Sequence, residues 1–324
     1  MYPADVRQDR PVEVFMAHMD VVFPDETELP LRVEGGRIYC PGVGDDTACL
    51  VCLLLAGKYI AEHVDSPQWR EIRREDAPGL LLVCNAGEEG LGNLKGVHKI
   101  CEDFGDRIER FCTFDSSLSS IVDRAVGSKR FRVRVRTRGG HSYDDFGNDN
   151  AIAGLASLVG KLYGIRVPEG GKTTYNVGMI SGGTSVNTIA QEAEMLYEFR
   201  SDRRENLEYM ERQFMEVLDR AKAEGMDVSF KVIGVRPCEG QVDPKRKQAL
   251  SDWAHRVVEE MTGQAPKHCA GSTDCNIPLS LGIPSVCVGS FRGAGAHTRE
   301  EYVETDSLEE GYKVAFGMIF GSRD

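Results

Sequence analysis

No run in this chain is apolar and long enough to span a bilayer: the longest, Thr47–Ala56, falls well short of the roughly 20 residues that a spanning helix needs. The start, Met1–Pro11, is polar and charged, without the apolar core that follows basic residues in a secretory signal. A cytoplasmic protein with no membrane partner is therefore expected. Positive charge is scarce as well, with 39 Lys+Arg against 51 Asp+Glu and a net charge of −12. Nucleic-acid binders usually show the opposite balance, so a nucleic-acid partner is not expected. At Gly42-Val-Gly-Asp-Asp-Thr47 no G-K-[ST] follows and the Asp pair would repel phosphate, so a phosphate-cradling loop is not expected there. Internal repeats and low-complexity linkers are absent too. There are ten cysteines, but Cys49-Leu-Val-Cys52 has no second pair or nearby His to complete a zinc knuckle. These two thiols sit in an apolar helical run and read as core.

What is present points to a two-domain α/β protein. A length of 324 residues is enough for two domains on the usual size prior. Pro11–Ala17 predicts a strand ending at His18-Met19-Asp20, and Leu80–Cys84 is a continuous apolar run of the kind covered on both faces. Phe111–Phe114 predicts a third strand ending at Asp115. Pro284–Val288 predicts a fourth, shortly before the glycine-rich approach to His297. Helical segments, Thr47–His63 and Pro244–Met261 among them, lie between these strands. In the first three cases a polar residue of interest follows the C-terminal end of a strand, where open α/β sheets place their ligands.

The middle of the chain has another pattern. Lys129–Arg138 alternates basic with mostly apolar residues, predicting a half-exposed antiparallel strand with a solvated basic face. A helix over Asn150–Tyr163 follows, then strands Thr174–Ile180 and Glu192–Ser201, a helix over Glu205–Glu224 and a strand over Asp227–Val235. That order predicts a ferredoxin-like module inserted into the α/β domain. The expected division is 1–126 and 236–324 for the α/β domain and 127–235 for the insert.

Several short motifs carry chemistry. Alternation along a strand puts His18 and Asp20 on one side, and a metal-bound imidazole commonly gives its other N–H to a carboxylate. Asp20 could do this directly or hold the backbone nearby. In Gly42-Val-Gly-Asp-Asp-Thr47 a helix N-cap by Asp46 or Thr47 accounts for one acidic residue but not for both. In Asn85-Ala-Gly-Glu-Glu-Gly90 one carboxylate can bind a metal while its neighbour takes a proton from water. Together His18, Asp45, Glu89, Asp115 and His297 form a donor set suited to zinc or manganese.

The stretches Ala17-His-Met-Asp-Val-Val22, Gly42-Val-Gly-Asp-Asp46, Gly87-Glu-Glu-Gly90, Gly139-Gly-His-Ser142, Gly182-Gly-Thr-Ser-Val-Asn187 and Gly295-Ala-His297 occur in this order along nearly the whole chain. In this the sequence resembles the di-zinc metallopeptidase family twenty of clan MH, which contains aminoacylase, carboxypeptidase G, peptidase T and succinyl-diaminopimelate desuccinylase. The resemblance implies a three-layer zinc-exopeptidase-like catalytic domain with an inserted ferredoxin-like lid and dimerisation domain. It also implies two divalent metal ions per chain, zinc first, with cobalt or manganese as alternatives. His18 and Asp115 would bind one ion and Glu89 and His297 the other, with Asp45 between them. Glu88 would be the general base, Asp20 would orient His18, and His141 would stabilise the oxyanion in a neighbouring subunit of a homodimer. Asn187 and Arg200 would contact substrate, Arg200 being suited to a carboxylate.

Three differences from the family pattern stand out. The chain starts 17 residues before His18, where relatives carry a further helix and strand; either the start is misassigned or part of the sheet and pocket wall is missing. Thr47 follows the acidic pair where many relatives have Lys or another residue. Asp115-Ser116-Ser117 replaces a commoner Asp-Gly, and Asp at this ligand leans toward the peptidase branch, since many deacylase-like relatives use Glu. The expected function is a metal-dependent exopeptidase of short peptides, a tripeptidase, aminopeptidase or carboxypeptidase. The alternatives are an N-acyl-amino-acid deacylase and, from another class, an inactive metal- or ligand-binding relative.

Overall fold

The computed structural model describes residues 10–23, 27–67 and 77–321, so the reading of Met1–Pro11 falls almost wholly outside the described residues. The chain divides into two compact units, Met1–Ala125 with Glu239–Asp324, and Val126–Cys238.

The larger unit is built on a six-stranded sheet. Its spatial order is Lys267–Gly271, Ser120–Ala125, Ser285–Val288, Ile108–Phe114, Val12–His18 and Gly79–Asn85. The last four run parallel to one another, and Ser120–Ala125 runs against Ser285–Val288. Val12–His18 is buried at every position, and its side chains feed two separate cores. Phe15 and Ala17 pack with Leu53, Ala56, Trp253, Val258 and Met318, which come from the helices Cys49–His63, Pro244–Thr262 and Ser307–Phe320. Val12, Val14 and Met16 pack on the opposite side with Val97, Cys101, Ile277 and Leu279, from Lys95–Phe104 and Asn276–Ser280. Helices on both faces explain why these strands are continuous apolar runs. Cys49 and Cys52 are buried free thiols in the first core.

One charged residue interrupts the central strand. Glu13 is fully buried and pairs in register with Arg110. Arg110 Nε lies 3.1 Å from Glu13 Oε1, and the guanidinium sits 4.2 Å above the Trp253 ring. Deleting one partner of such a pair generally costs about 3–5 kcal/mol, because the other charge stays buried and uncompensated.

A second, antiparallel sheet in this unit is small but decides where the site forms. It joins Gly293–Ala294, Tyr302–Glu304, Arg37–Tyr39 and Arg32–Glu34. Its pairings bring the loop 295–301, with His297, against the segment leading into Gly42–Asp46.

The smaller unit is an antiparallel sheet in the order Asp227–Arg236, Gly127–Arg136, Glu192–Ser201, Thr173–Gly182. The helices Ala151–Tyr163 and Arg204–Ala223 cover one face, where Leu155, Leu158, Phe214 and Leu218 meet Phe131, Val133, Tyr197 and Phe199. Strand–helix–strand–strand–helix–strand in this spatial order is the ferredoxin-like arrangement. The unit's first and last strands are neighbours, with Ser128 opposite Arg236, so the chain enters and leaves side by side. The other face carries a charge ladder: Arg130 pairs with Glu198, Arg132 and Arg134 with Glu194, and Arg136 with Glu192, at 2.9–3.3 Å. Each of these arginines thus has a carboxylate partner on the neighbouring strand. Among the described residues no helix is long and apolar enough to cross a membrane.

Candidate metal centre

His18 is the last residue of its strand, Asp115 directly follows Ile108–Phe114, and Glu88 and Glu89 lie just beyond Gly79–Asn85. Three adjacent parallel strands thus deliver four polar side chains to one sheet edge. The small sheet and the 43–48 turn bring Asp45 and His297 to the same place. Asp45 touches both imidazoles, with Oδ1 at 3.0 Å from His18 Nε2 and Oδ2 at 3.1 Å from His297 Nε2. His297 Nε2 also lies 3.1 Å from Glu89 Oε1. Three groups of donor atoms each lie within 4.8 Å of one another: His18–Glu88–Glu89, His18–Asp46–Asp115 and Asp45–Glu89–His297. His297 adopts φ 66°, a left-handed conformation that costs a side-chain-bearing residue on the order of 1–3 kcal/mol and clusters at functional sites.

Two carboxylates outside the expected ligand set hold the turns that present it. Asp20 accepts the backbone N–H groups of Gly87, Glu88 and Glu89 at 2.9, 3.3 and 2.9 Å. The atom that meets His18 Nδ1 at 3.0 Å is the Asp20 main-chain oxygen, while the carboxylate is 3.7 Å away. Of the two roles considered for Asp20, its side chain thus mainly serves the second, holding the neighbouring backbone. Glu301, 2% exposed, accepts N–H from Gly42, Gly44 and Asp45 at 2.7, 2.9 and 2.8 Å. A Cβ on Gly44 would sit 2.7 Å from the Phe291 ring and 3.0 Å from Glu301 Oε1, so only glycine lets this turn close on the carboxylate.

Asp46 does not cap the following helix, which has no side-chain cap hydrogen bond. Its Oδ2 instead accepts the His18 N–H at 2.9 Å. Nothing in the spacing signalled this, because the contact spans two segments far apart in sequence. The fully buried Asp274 was likewise not singled out as a site residue: its Oδ2 accepts from Asn85 Nδ2 at 2.6 Å. Glu301 was legible only as the fourth residue after His297.

Negative charge is in surplus at this edge, and the titration behaviour records it. Burial pushes Glu89 up to about 7, helped by the charges of Asp45 and Glu88. Burial, with Asp45 and Glu88 nearby, holds Asp115 well above the ordinary carboxylate range. For His18 burial acts downward, but the hydrogen bond to Asp45 and the charges of Asp46 and Asp115 win and lift it to about 11. Asp45 is held low despite its burial by the two imidazoles. A cluster that draws in protons in this way fits divalent cations, which replace protons on the same donors. Carboxylate and imidazole ligands suit zinc or manganese.

His141 and Asn187 lie together in the smaller unit, where Thr188 pairs with His141 and Ser142 N–H donates to Asn187 O at 3.0 Å. The exposed His141 ring sits 3.3 Å from Asp144 Oδ2. Arg200 lies near the far end of the strand Glu192–Ser201. There its guanidinium is held in two places by Glu198 at 2.9 and 3.1 Å.

Known proteins share this architecture. Over 234 residues the chain is 26% identical to succinyl-diaminopimelate desuccinylase of Nitrosococcus oceani, covering 66% of this chain and 60% of that relative. Aminopeptidase PepT from Bacillus cereus superposes with a TM-score of 0.68 at 22% identity, over 98% of this chain and 82% of that one. An M20 family metallo-carboxypeptidase from Sulfolobus solfataricus reaches 0.72 at 15% identity, over 97% and 85%. At these identities the two structures bear on the fold, a three-layer α/β domain with an inserted ferredoxin-like module. The family described as Peptidase family M20/M25/M40 matches residues 14–320, and this chain belongs to it, a family of metal-dependent hydrolases of amide bonds.

Proposed function

We propose that the chain is an exopeptidase of short peptides working through two divalent cations and a glutamate base. The observation that carries this reading is the Glu88–Glu89 turn. There a buried carboxylate, Glu88, lies beside a second carboxylate and the His18 imidazole, with donor atoms within 4.8 Å. His18 and Asp115 would hold one cation, Glu89 and His297 the other, and Asp45 would be shared. Bound there, the cations would supply Lewis acidity, lowering the pKa of water and polarising the scissile carbonyl. Glu88 accepts the proton of the attacking water at its carboxylate and returns it to the departing amine nitrogen. Asp20 keeps Glu88 and Glu89 in register by fixing their backbone. His141 is assigned to oxyanion stabilisation and Asn187 to substrate contact, on their motifs and their adjacency. Arg200 is assigned to a substrate carboxylate on its residue type, its guanidinium being held by Glu198.

The peptide reading is preferred because Asp115, not Glu, stands beside His18 and Asp46. Deacylation of N-acyl amino acids is the second reading, motivated by the desuccinylase relative. A panel of di- and tripeptides beside N-acetyl and N-succinyl amino acids separates them. The expected outcome is a kcat/KM at least about tenfold higher on a peptide, or about 1.4 kcal/mol, abolished by a chelator and restored by zinc. Preference for the acylated amino acids would transfer the assignment to the second reading. Fewer than one metal per chain after zinc loading would favour an inactive relative.

A homodimer through the smaller unit belongs to the same proposal. Its edge strand Thr173–Gly182 is open, and Met179 and Ile180 are 65% and 57% exposed, which is the kind of edge that pairs with another chain. Light scattering at the mass of one chain would remove this part.

A further inference from the structure

We propose that Glu301 is a positioning residue for the shared ligand: its carboxylate sets the geometry of Asp45 and so the affinity for metal. This inference rests on the ligand reading above and adds to it a residue that binds no metal itself. The residue after His297 that most concerns the site is four positions on, at the start of the strand Tyr302–Glu304. Its carboxylate is buried, and a buried charge persists only where polar groups compensate it. Here the compensation comes from three converging backbone N–H groups of Gly42, Gly44 and Asp45, an anion nest.

The nest has a consequence for the ligand. Asp45 sits at the entry to a helix yet has φ −104° and ψ 88°, outside the helical region. Its N–H is spent on Glu301, and its side chain is thereby turned to meet both His18 and His297. The Glu301 main-chain oxygen also accepts the Cys40 N–H at 3.1 Å. One residue thus fastens the segment bearing His297 to the segment bearing Asp45. A glutamine at 301 would keep one acceptor oxygen and turn an NH2 group toward N–H donors, so the nest could not close as it does.

Zinc binding, read by competition with a chromogenic chelator, tests this in the full chain without reference to any substrate. Outer-shell partners of metal ligands are typically worth about 10–100-fold in affinity, and that is the expected weakening in Glu301→Gln, with near-UV circular dichroism like the wild type. Glu301→Asp keeps the charge but falls a methylene short, and is expected between the two; it decides the matter if the Gln variant does not fold. Val303→Ala, a buried position on the adjoining strand, lowers the melting temperature without touching the nest and should retain wild-type affinity. Wild-type affinity in Glu301→Gln or Glu301→Asp overturns the proposal. So does equal weakening in Val303→Ala, which would reduce Glu301 to general stability. A wild-type protein that binds no zinc would instead sink the ligand reading itself.

Discussion

Glu88→Gln is expected to lower kcat by about 10²–10⁴-fold, the usual contribution of a positioned general base, while two equivalents of zinc stay bound. The amide has nearly the size of the carboxylate and can still accept a hydrogen bond, but it cannot take a proton from water at neutral pH. Glu88 is 5% exposed, so solvent buffer has poor access to rescue the step. The turn that carries it should survive the change, since Asp20 holds that turn by backbone groups alone. Steady-state kinetics beside metal analysis checks both halves. Activity within about tenfold of wild type would place the base elsewhere.

Asp45→Asn should fail differently, losing metal first and activity as a result. Each Asp45 oxygen faces an imidazole, and an amide leaves one of them without an anionic partner. If outer-shell changes cost about 10–100-fold in metal affinity, replacing the shared ligand should exceed about 100-fold. Turnover at micromolar zinc should then fall at least as far as in Glu88→Gln. The two variants are separated by metal content: retained in the first, depleted in the second. An Asp45→Asn protein that keeps two tightly bound zinc ions would show that Asp45 is not the shared ligand.

The legible parts of this molecule were those written as local pattern. Continuous apolar runs exposed the central strands, and the ends of those runs located His18, Glu88, Glu89 and Asp115, because parallel sheets present polar residues there. Alternation in Lys129–Arg138 revealed one strand of the smaller unit, although its arginines are ladder partners of Glu192, Glu194 and Glu198 and not a bare solvated face. Ser120–Ala125 and Lys267–Gly271 escaped notice, being short and mixed in polarity. Their strand character comes from pairing with each other at one side of the sheet. The contacts of Asp46, Asp274 and Glu301 join segments 28 to 259 residues apart, and no window along the chain contains both partners.

The order of strands in the larger sheet also imposes a schedule on biosynthesis. Ser285–Val288 lies between Ile108–Phe114 and Ser120–Ala125, yet it leaves the ribosome long after both. The smaller unit, the helices Pro244–Thr262 and Asn276–Ser280 and the strand Lys267–Gly271 must be translated first, which at about 5–20 residues per second takes on the order of 10–30 s. Throughout that interval Ile108–Phe114 and Ser120–Ala125 lack the strand that belongs between them, and an unpaired strand edge can pair with the wrong chain. The smaller unit closes on itself with its ends adjacent, so it can fold during the wait and return the chain to the point of departure. The gap between those two strands closes only when the late strand Ser285–Val288 fills it.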